Sequence, residues 1–343
     1  MPHPLLRPYL SAVIETNPWI EPWQRWDAIH YQVIADFGYQ ANDTLLFTPP
    51  LFPILIKLFD FFTNMGSLVA GILVSNLSFL LSLIVLYHIV VEETGSHPLA
   101  TRSLIYLVSF PTAFFFMAGY TESLYLLTAE LSLLLFLRRK WAISGLCGAA
   151  AALTRLTGIL LIAPLGYAAW QEARRSKLWQ PWIAPILTLV GGGIFSLYIG
   201  LALDKSIWAP WIIQTIRFRG GVCLPGWNLI MAFQNIFAGS YQLADLFDVS
   251  FLLLFIASTP WIIRRLPPVY GVYQIAYLLL YLSRISNIQP LLSTARYVLV
   301  LFPAFITFSH WGQTPRINRL FLYTFWLGLL LLSGQFALWG WVG

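Results

Sequence analysis

From residue 67 to residue 341 the sequence is a series of apolar runs broken by short charged clusters, most of them basic. That alternation constrains the fold more than any motif does. Only 10% of the 343 residues are charged and 58% are hydrophobic. A soluble domain carries about 25% charged residues, so this chain cannot cover itself with a soluble surface. It reads as an all-α polytopic membrane protein, one domain over 1–343. The net charge of +6 then reports on topology and gives no sign of nucleic-acid binding. Cys147 and Cys223 suggest neither a disulfide framework nor a metal site. No cleavable signal peptide is evident, since Met1 to Trp26 lacks a long apolar core.

Taken in order, residues 44–63 are apolar but interrupted by Pro49, Pro50 and Pro53 and charged at Lys57 and Asp60. They read as a bent re-entrant or interfacial segment. Residues 67–91 make a span ending at Glu92-Glu93. Residues 99–137 suit a hairpin, 99–118 out and 121–137 back, turning at Gly119 to Ser123. Residues 141–172 are flanked by basic clusters on both sides, Arg138 to Lys140 and Arg174 to Lys177. One span there would violate the positive-inside rule. A turn at Thr154 to Gly158 puts both clusters inside, on two short arms, 141–155 and 158–172. Further spans are expected at 182–203, 249–263, 269–282, 296–311 and 320–341, with an outer loop at 204–247 that includes Arg217 and Arg219. About ten passes result. The inner side then carries net +8 and the remainder −2. The triple glycine Gly191 to Gly193 suggests a close helix contact.

The polar exception precedes the spans. In Trp26-Asp27-Ala28-Ile29-His30-Tyr31 and its continuation to Tyr39, residues Trp23, Trp26, His30, Ile34 and Phe37 fall on one helical face. Asp27 lies one turn from His30 and Tyr31. Too short and polar to span, this helix suits the interface. It can hold a carboxylate above the bundle, or serve as an anchor whose Asp is merely solvated. On the topology above, Asp27, Glu122, Arg155 and Arg296 all reach the same outer side. Ionisable groups at membrane depth suggest function by default, although Glu122 with Arg155 also reads as a structural ion pair between two hairpins. Glu130, mid-span, reads as protonated or bonded to a neighbouring helix and is assigned no role. The histidines have no metal-ligand spacing, and no phosphate-binding glycine loop is present.

The order of these pieces resembles a known family. Trp26 to Tyr31, Ala35 to Tyr39 and the aromatic-proline run Phe47 to Pro53 resemble the first outer loop of the PIG-V family. Those are the second mannosyltransferases of GPI-anchor assembly and their prokaryotic relatives, in the GT-C superfamily. Pro111 with Gly119 to Ser123, Thr154 to Gly158, and Ser293 to Tyr297 leading to Phe302-Pro303 follow in the same order. The resemblance covers most of the chain, weakly in 180–280. One departure is the lack of a full span before the Trp-Asp motif, read as a truncated start or a lost helix that leaves the N-terminus outside.

The resemblance implies a GT-C-like bundle of about ten transmembrane helices, with interfacial helices in a first extracytoplasmic loop over 1–66. It implies an inverting transfer: a mannose or related hexose passes from a polyprenyl-phosphate donor to a glycolipid or glycan acceptor. Asp27 is then the general base, with His30, Tyr31, Tyr120, Glu122, Arg155, Arg296 and Tyr297 binding substrate. No cofactor and no metal is demanded, because the donor is already activated. The membrane is the plasma membrane for a prokaryotic member and the endoplasmic reticulum membrane for a eukaryotic one, with the site extracytoplasmic. Membrane lipids are partners; whether a small membrane subunit joins is left open by the sequence. The competing reading is a transporter or flippase for a lipid-linked or anionic substrate, with Glu122, Arg155 and Arg296 forming an occluded site.

Overall fold

The computed structural model describes residues 15–39, 45–217, 220–286, 288–340 and 342. Met1 to Ile14, Thr44, Arg219 and the side chain of Arg217, which figure in the readings above, lie outside what is described. The described chain is helical: α1 (Asp27–Phe37), α2 (Leu51–Thr63), α3 (Ser67–Thr94), α4 (His97–Ser109), α5 (Glu122–Leu137), α6 (Trp141–Thr154), α7 (Ile162–Ser176), α8 (Ile183–Ala202), α9 (Ala209–Ile212), α10 (Trp227–Phe237), α11 (Leu243–Arg265), α12 (Pro268–Leu282), α13 (Thr294–Tyr297), α14 (Phe302–Trp311) and α15 (Pro315–Ala337). A two-residue ribbon, β1 (Gly221–Val222) against β2 (Arg284–Ile285), is antiparallel with Val222 opposite Arg284.

Four stretches, Ser67–Thr94, Gln180–Ala202, Leu243–Arg265 and Pro315–Ala337, are long and apolar enough to cross a membrane unaided. The other arms of the expected ten passes are shorter. The hairpin at Thr154 to Gly158 is present, and its geometry explains the glycine. A Cβ on Gly158 would stand 2.3 Å from the Ala151 carbonyl oxygen, so only glycine lets the chain return that closely. At the far end of the hairpin Arg139 pairs with Glu172 at 2.7 Å, which brings the two basic clusters together. Arg138 pairs with Glu92 of α3 at that same end. The glycines of α6 and α8 close the next contact. A Cβ on Gly148 would meet Thr188 Oγ1 at 2.1 Å, and one on Gly191 would meet Ala149 Cα at 2.5 Å. Gly193 faces open space.

Three expectations need correction. The polar helix starts at Asp27, so Trp23 sits in a separate turn of 3-10 helix, Glu21–Trp23. Its buried residues include Ala28, Ile29, Tyr31, Val33, Ile34 and Ala35, while Phe37 is 50% exposed. The helix is packed on several sides rather than on one stripe, because it wedges against α2 and α3. The outer loop 204–247 holds α10, an 11-residue helix, and the span after it starts at Leu243. Last, residues 296–311 are not one span. Arg296 rides on the short α13, a 3-10 turn follows at Val298–Val300, and α14 starts only at Phe302. Pro303 cannot donate to a carbonyl of the preceding turn, and the break leaves carbonyls that hydrocarbon cannot satisfy. Tyrosines on one face of α12 satisfy them. Tyr281 donates to the Tyr297 carbonyl at 3.0 Å and Tyr273 to the Val300 carbonyl at 2.9 Å. Tyr277, between them, donates to the Thr157 carbonyl at 2.8 Å. One helix face thus fixes both turns that carry arginines.

The hairpin makes a topological prediction. With Cys147 and Cys223 replaced, Lys140→Cys and Arg175→Cys should both react with a membrane-impermeant maleimide from the same side of sealed vesicles. Labelling from opposite sides would sink the hairpin.

Candidate active site

Two irregular turns deliver the charged groups. Trp26, just before α1, has φ +49, and Ser293, just before α13, has φ +68. Non-glycine residues in this left-handed region are strained and concentrate at functional sites. Asp27 is the first residue of α1, where the helix dipole favours a carboxylate. Arg296 lies three residues past Ser293. The peptide between them is held at both groups: Asp248 accepts from the Ala295 N–H at 2.5 Å, and Thr112 donates to the Ala295 carbonyl at 3.0 Å.

The four groups that the sequence puts at one end form a continuous chain of ion pairs. Arg155 Nη1 donates to Glu122 Oε1 at 2.6 Å, and Arg296 Nε donates to the same oxygen at 2.5 Å. Arg296 Nη1 then donates to Asp27 Oδ2 at 2.7 Å. The Glu122 side chain has no exposed surface and that of Arg296 only 5%. Arg296 also lies over the rings of Tyr120, at 4.5 Å, and Phe115, at 4.9 Å. Two guanidiniums on one carboxylate oxygen, with aromatic faces beneath, hold Arg296 rigidly. Breaking such a buried pair from one side costs about 3–5 kcal/mol.

A cavity of about 470 Å³ opens above this chain. Asp27, His30, Tyr31, Arg155, Arg296 and Tyr297 line it. Tyr120 and Glu122 do not; the sequence reading puts both against substrate, and in the structure they stand behind the wall. Tyr120 donates to the Arg25 carbonyl at 3.0 Å, so it ties the approach to α1. Tyr31 reaches Thr121 Oγ1 at 3.3 Å, and the same oxygen accepts from Arg155 at 3.1 Å. Burial holds the Tyr31 phenol well above its ordinary value, so it stays protonated.

His30 Nδ1 stands 3.8 Å from Asp27 Oδ1. Burial lowers the imidazole from its ordinary 6.5, and the Asp27 charge only partly offsets this. With the folded value below the unfolded one, its contribution to stability is complete above about pH 6.5 and is lost as pH falls through the folded value. The expected pH–rate profile therefore shows no histidine limb between pH 8 and 6.5. His30→Gln should cost no more than about tenfold, the worth of one hydrogen bond. A loss equal to that of removing Asp27 would make His30 the base.

One cavity residue escapes the sequence reading. Arg284, on β2, lines the cavity, lies 4.8 Å from the Tyr297 ring, and has a buried Nη2 with no hydrogen-bond partner among the described residues. Burial pushes its guanidinium down to about 10, which leaves it charged at neutral pH. Its backbone is pinned by pairing with Val222 and by Asn228, whose amide donates to the Arg284 carbonyl at 2.6 Å. Among the described residues, three guanidiniums and one carboxylate thus line the cavity. Glu130, by contrast, sits elsewhere in α5 and accepts from Ser82 at 2.7 Å.

This arrangement can be set beside known proteins. Residues 11–176 match the family model described as Mannosyltransferase (PIG-V). The matched residues make up just under half of the chain. Over 166 residues it is 31% identical to GPI mannosyltransferase 2 from two strains of Cryptococcus neoformans var. neoformans, covering 46% of this chain and 38% of theirs. The chain thus spans well under half the length of the curated relatives it matches. Its fold is similar to that of ArnT from Cupriavidus metallidurans. The crystal structure of ArnT bound to undecaprenyl phosphate superimposes with a TM-score of 0.58 at 16% identity, over 91% of this chain and 59% of that one. The apo crystal structure gives 0.57 at 15%, over 90% and 60%. The segment matched by the family model carries Asp27, His30, Tyr31, Tyr120, Glu122 and Arg155. Arg284, Arg296 and Tyr297 lie beyond it and reach the site through the fold.

Proposed function

We propose that the chain is an inverting glycosyltransferase. It moves a mannose or related hexose from a polyprenyl-phosphate donor to a hydroxyl of a glycolipid or glycan, on the extracytoplasmic face. One observation carries the reading: Asp27 and the three guanidiniums of Arg155, Arg284 and Arg296 share one cavity at one end of a membrane bundle. The match of residues 11–176 to a mannosyltransferase family supports the reaction class. The undecaprenyl phosphate bound by a protein of similar fold supports the donor class.

The chemistry follows from the residues. The acceptor oxygen bonds to the anomeric carbon as the bond from that carbon to the phosphate oxygen breaks. The acceptor proton passes to Asp27, and the electron pair leaves with the polyprenyl phosphate. A single displacement inverts the anomeric centre. The phosphate changes from a diester carrying one negative charge to a monoester approaching two. Cavity walls of net +2 match that developing charge, and guanidiniums suit it because their planar forks bind two phosphate oxygens at once. No step as written needs a metal or other cofactor. The carrier reading wants its charges mid-bundle with access from both sides; charges gathered at one end support the enzyme.

The direct test incubates purified protein with labelled polyprenyl-phosphate mannose and a membrane glycolipid fraction. Sugar should move to the glycolipid with inverted anomeric configuration. No transfer from any polyprenyl-phosphate hexose would overturn the reading.

A further inference from the structure

The cavity has a second kind of wall. Three glutamines also line it: Gln214, after α9, Gln242, just before α11, and Gln289, in the turn after β2. Three neutral amides from three separate elements converge on one space that otherwise carries charge. Gln289 is only 4% exposed, a burial an amide tolerates only with work to do.

The hydrogen bonds define how two of these amides are turned. The Gln242 side chain caps α11 by accepting from the N–H of Asp245, and Asp245 returns the bond to the Gln242 N–H at 2.8 Å. Only the amide oxygen can accept, so Oε1 faces the helix. The same Oε1 accepts from Gln289 Nε2 at 3.0 Å. The Gln242 oxygen is therefore used twice, and its NH₂ makes no hydrogen bond among the described residues. For Gln289 the reverse holds: one amide hydrogen is spent and Oε1 accepts nothing among the described residues. Side by side, the pair presents donors from Gln242 and an acceptor from Gln289. A hydroxyl group both donates and accepts, so this pair fits a hydroxyl or a vicinal diol. It has no charge to attract a phosphate.

We propose that Gln242 and Gln289 form a subsite for the hydroxyls of a neutral saccharide, within the cavity whose arginines meet phosphate. The hydroxyls belong to the acceptor glycan or to the hexose of the donor; both have the chemistry the pair recognises. This rests on the proposed transfer reaction for its biological use, though not for the binding itself.

Two variants test it with the helix cap kept in place. Gln242→Glu retains an oxygen for the Asp245 N–H and removes the donors, while adding one negative charge to the wall. Gln289→Leu removes the acceptor at similar volume. Loss of one neutral hydrogen bond should raise a KM about 3- to 10-fold, with binding of sugar-free polyprenyl phosphate unchanged in Gln289→Leu, which adds no charge. A rise confined to the acceptor KM assigns the subsite to the acceptor. A rise confined to the donor KM assigns it to the donor hexose. Unchanged KM for both overturns the proposal. A second measurement does not need turnover: titration of the purified protein with methyl α-mannoside, followed by intrinsic tryptophan fluorescence. Trp26 lines the same cavity and should report binding in the wild type, weakened in both variants. If the wild type transfers no sugar yet binds the mannoside in a glutamine-dependent way, the subsite stands and the reaction falls. If the wild type transfers sugar and neither variant alters transfer or mannoside binding, the subsite falls and the reaction stands.

Discussion

Asp27→Asn protein should fold, bind polyprenyl phosphate at least as well as the wild type, and transfer sugar about 10²- to 10⁴-fold more slowly. The rate loss is that of removing a general base, roughly 3–5 kcal/mol of barrier. Folding should survive because asparagine is nearly the same shape and its oxygen can still accept from Arg296, while Arg296 keeps Glu122. The donor prediction separates two roles for Asp27. The chain Arg155, Glu122, Arg296, Asp27 is neutral as it stands; replacing Asp27 leaves it with one net positive charge beneath the cavity. An added positive charge holds a phosphate more tightly. If Asp27 served only to orient Arg296, the variant would loosen that guanidinium and donor affinity would fall along with the rate. Fluorescence or thermal-shift titration with polyprenyl phosphate, beside initial rates, distinguishes the two. A folded variant that transfers at near wild-type rate would remove Asp27 from the chemistry.

Much of this architecture was legible because membrane spans are written in run length and in the placement of basic residues. The turn at Thr154 to Gly158 followed from two basic clusters that had to share a side, and the Arg139–Glu172 pair shows them together. Glu122 and Arg155 could be paired on paper because each sat at the tip of a hairpin. What stayed hidden depended on contacts between distant segments. Arg296 shares the Glu122 oxygen across 174 residues, and no local pattern announces that. The break after Arg296 was hidden for a different reason. Residues 297–306 are continuously apolar, with Pro303 as the one mark against a straight helix. The stronger signal lay on another element, in Tyr270, Tyr273, Tyr277 and Tyr281 at steps of three and four. A row of buried hydroxyls in a membrane helix needs acceptors, and the broken segment supplies two of them. Arg284 was invisible because an arginine in a polar turn normally reads as solvated. Here Val222 pairs with it from 62 residues upstream, which turns the loop inward over the cavity.

The second large effect concerns which arginine tolerates lysine. Arg296 uses two different nitrogens on two different partners, Nε on Glu122 and Nη1 on Asp27. A lysine presents a single ammonium and cannot span both. Arg155 uses one nitrogen, Nη1, for both Glu122 and Thr121. An ammonium placed there can make both bonds. Arg296→Lys should therefore lose one charge-assisted bond, worth about 1.5–3 kcal/mol, and with it roughly 10- to 150-fold in turnover. Arg155→Lys should lose much less. Protein abundance should be near normal in both, because each lysine variant keeps two cations beside Glu122. Arg296→Ala gives the contrast: with the shared charge gone, the cost of about 3–5 kcal/mol for breaking a buried pair should appear as lost protein. Rates measured per mole of folded protein, beside abundance in detergent, would separate these effects. Near wild-type transfer by Arg296→Lys, with none by Arg155→Lys, would move the phosphate clamp from Arg296 to Arg155.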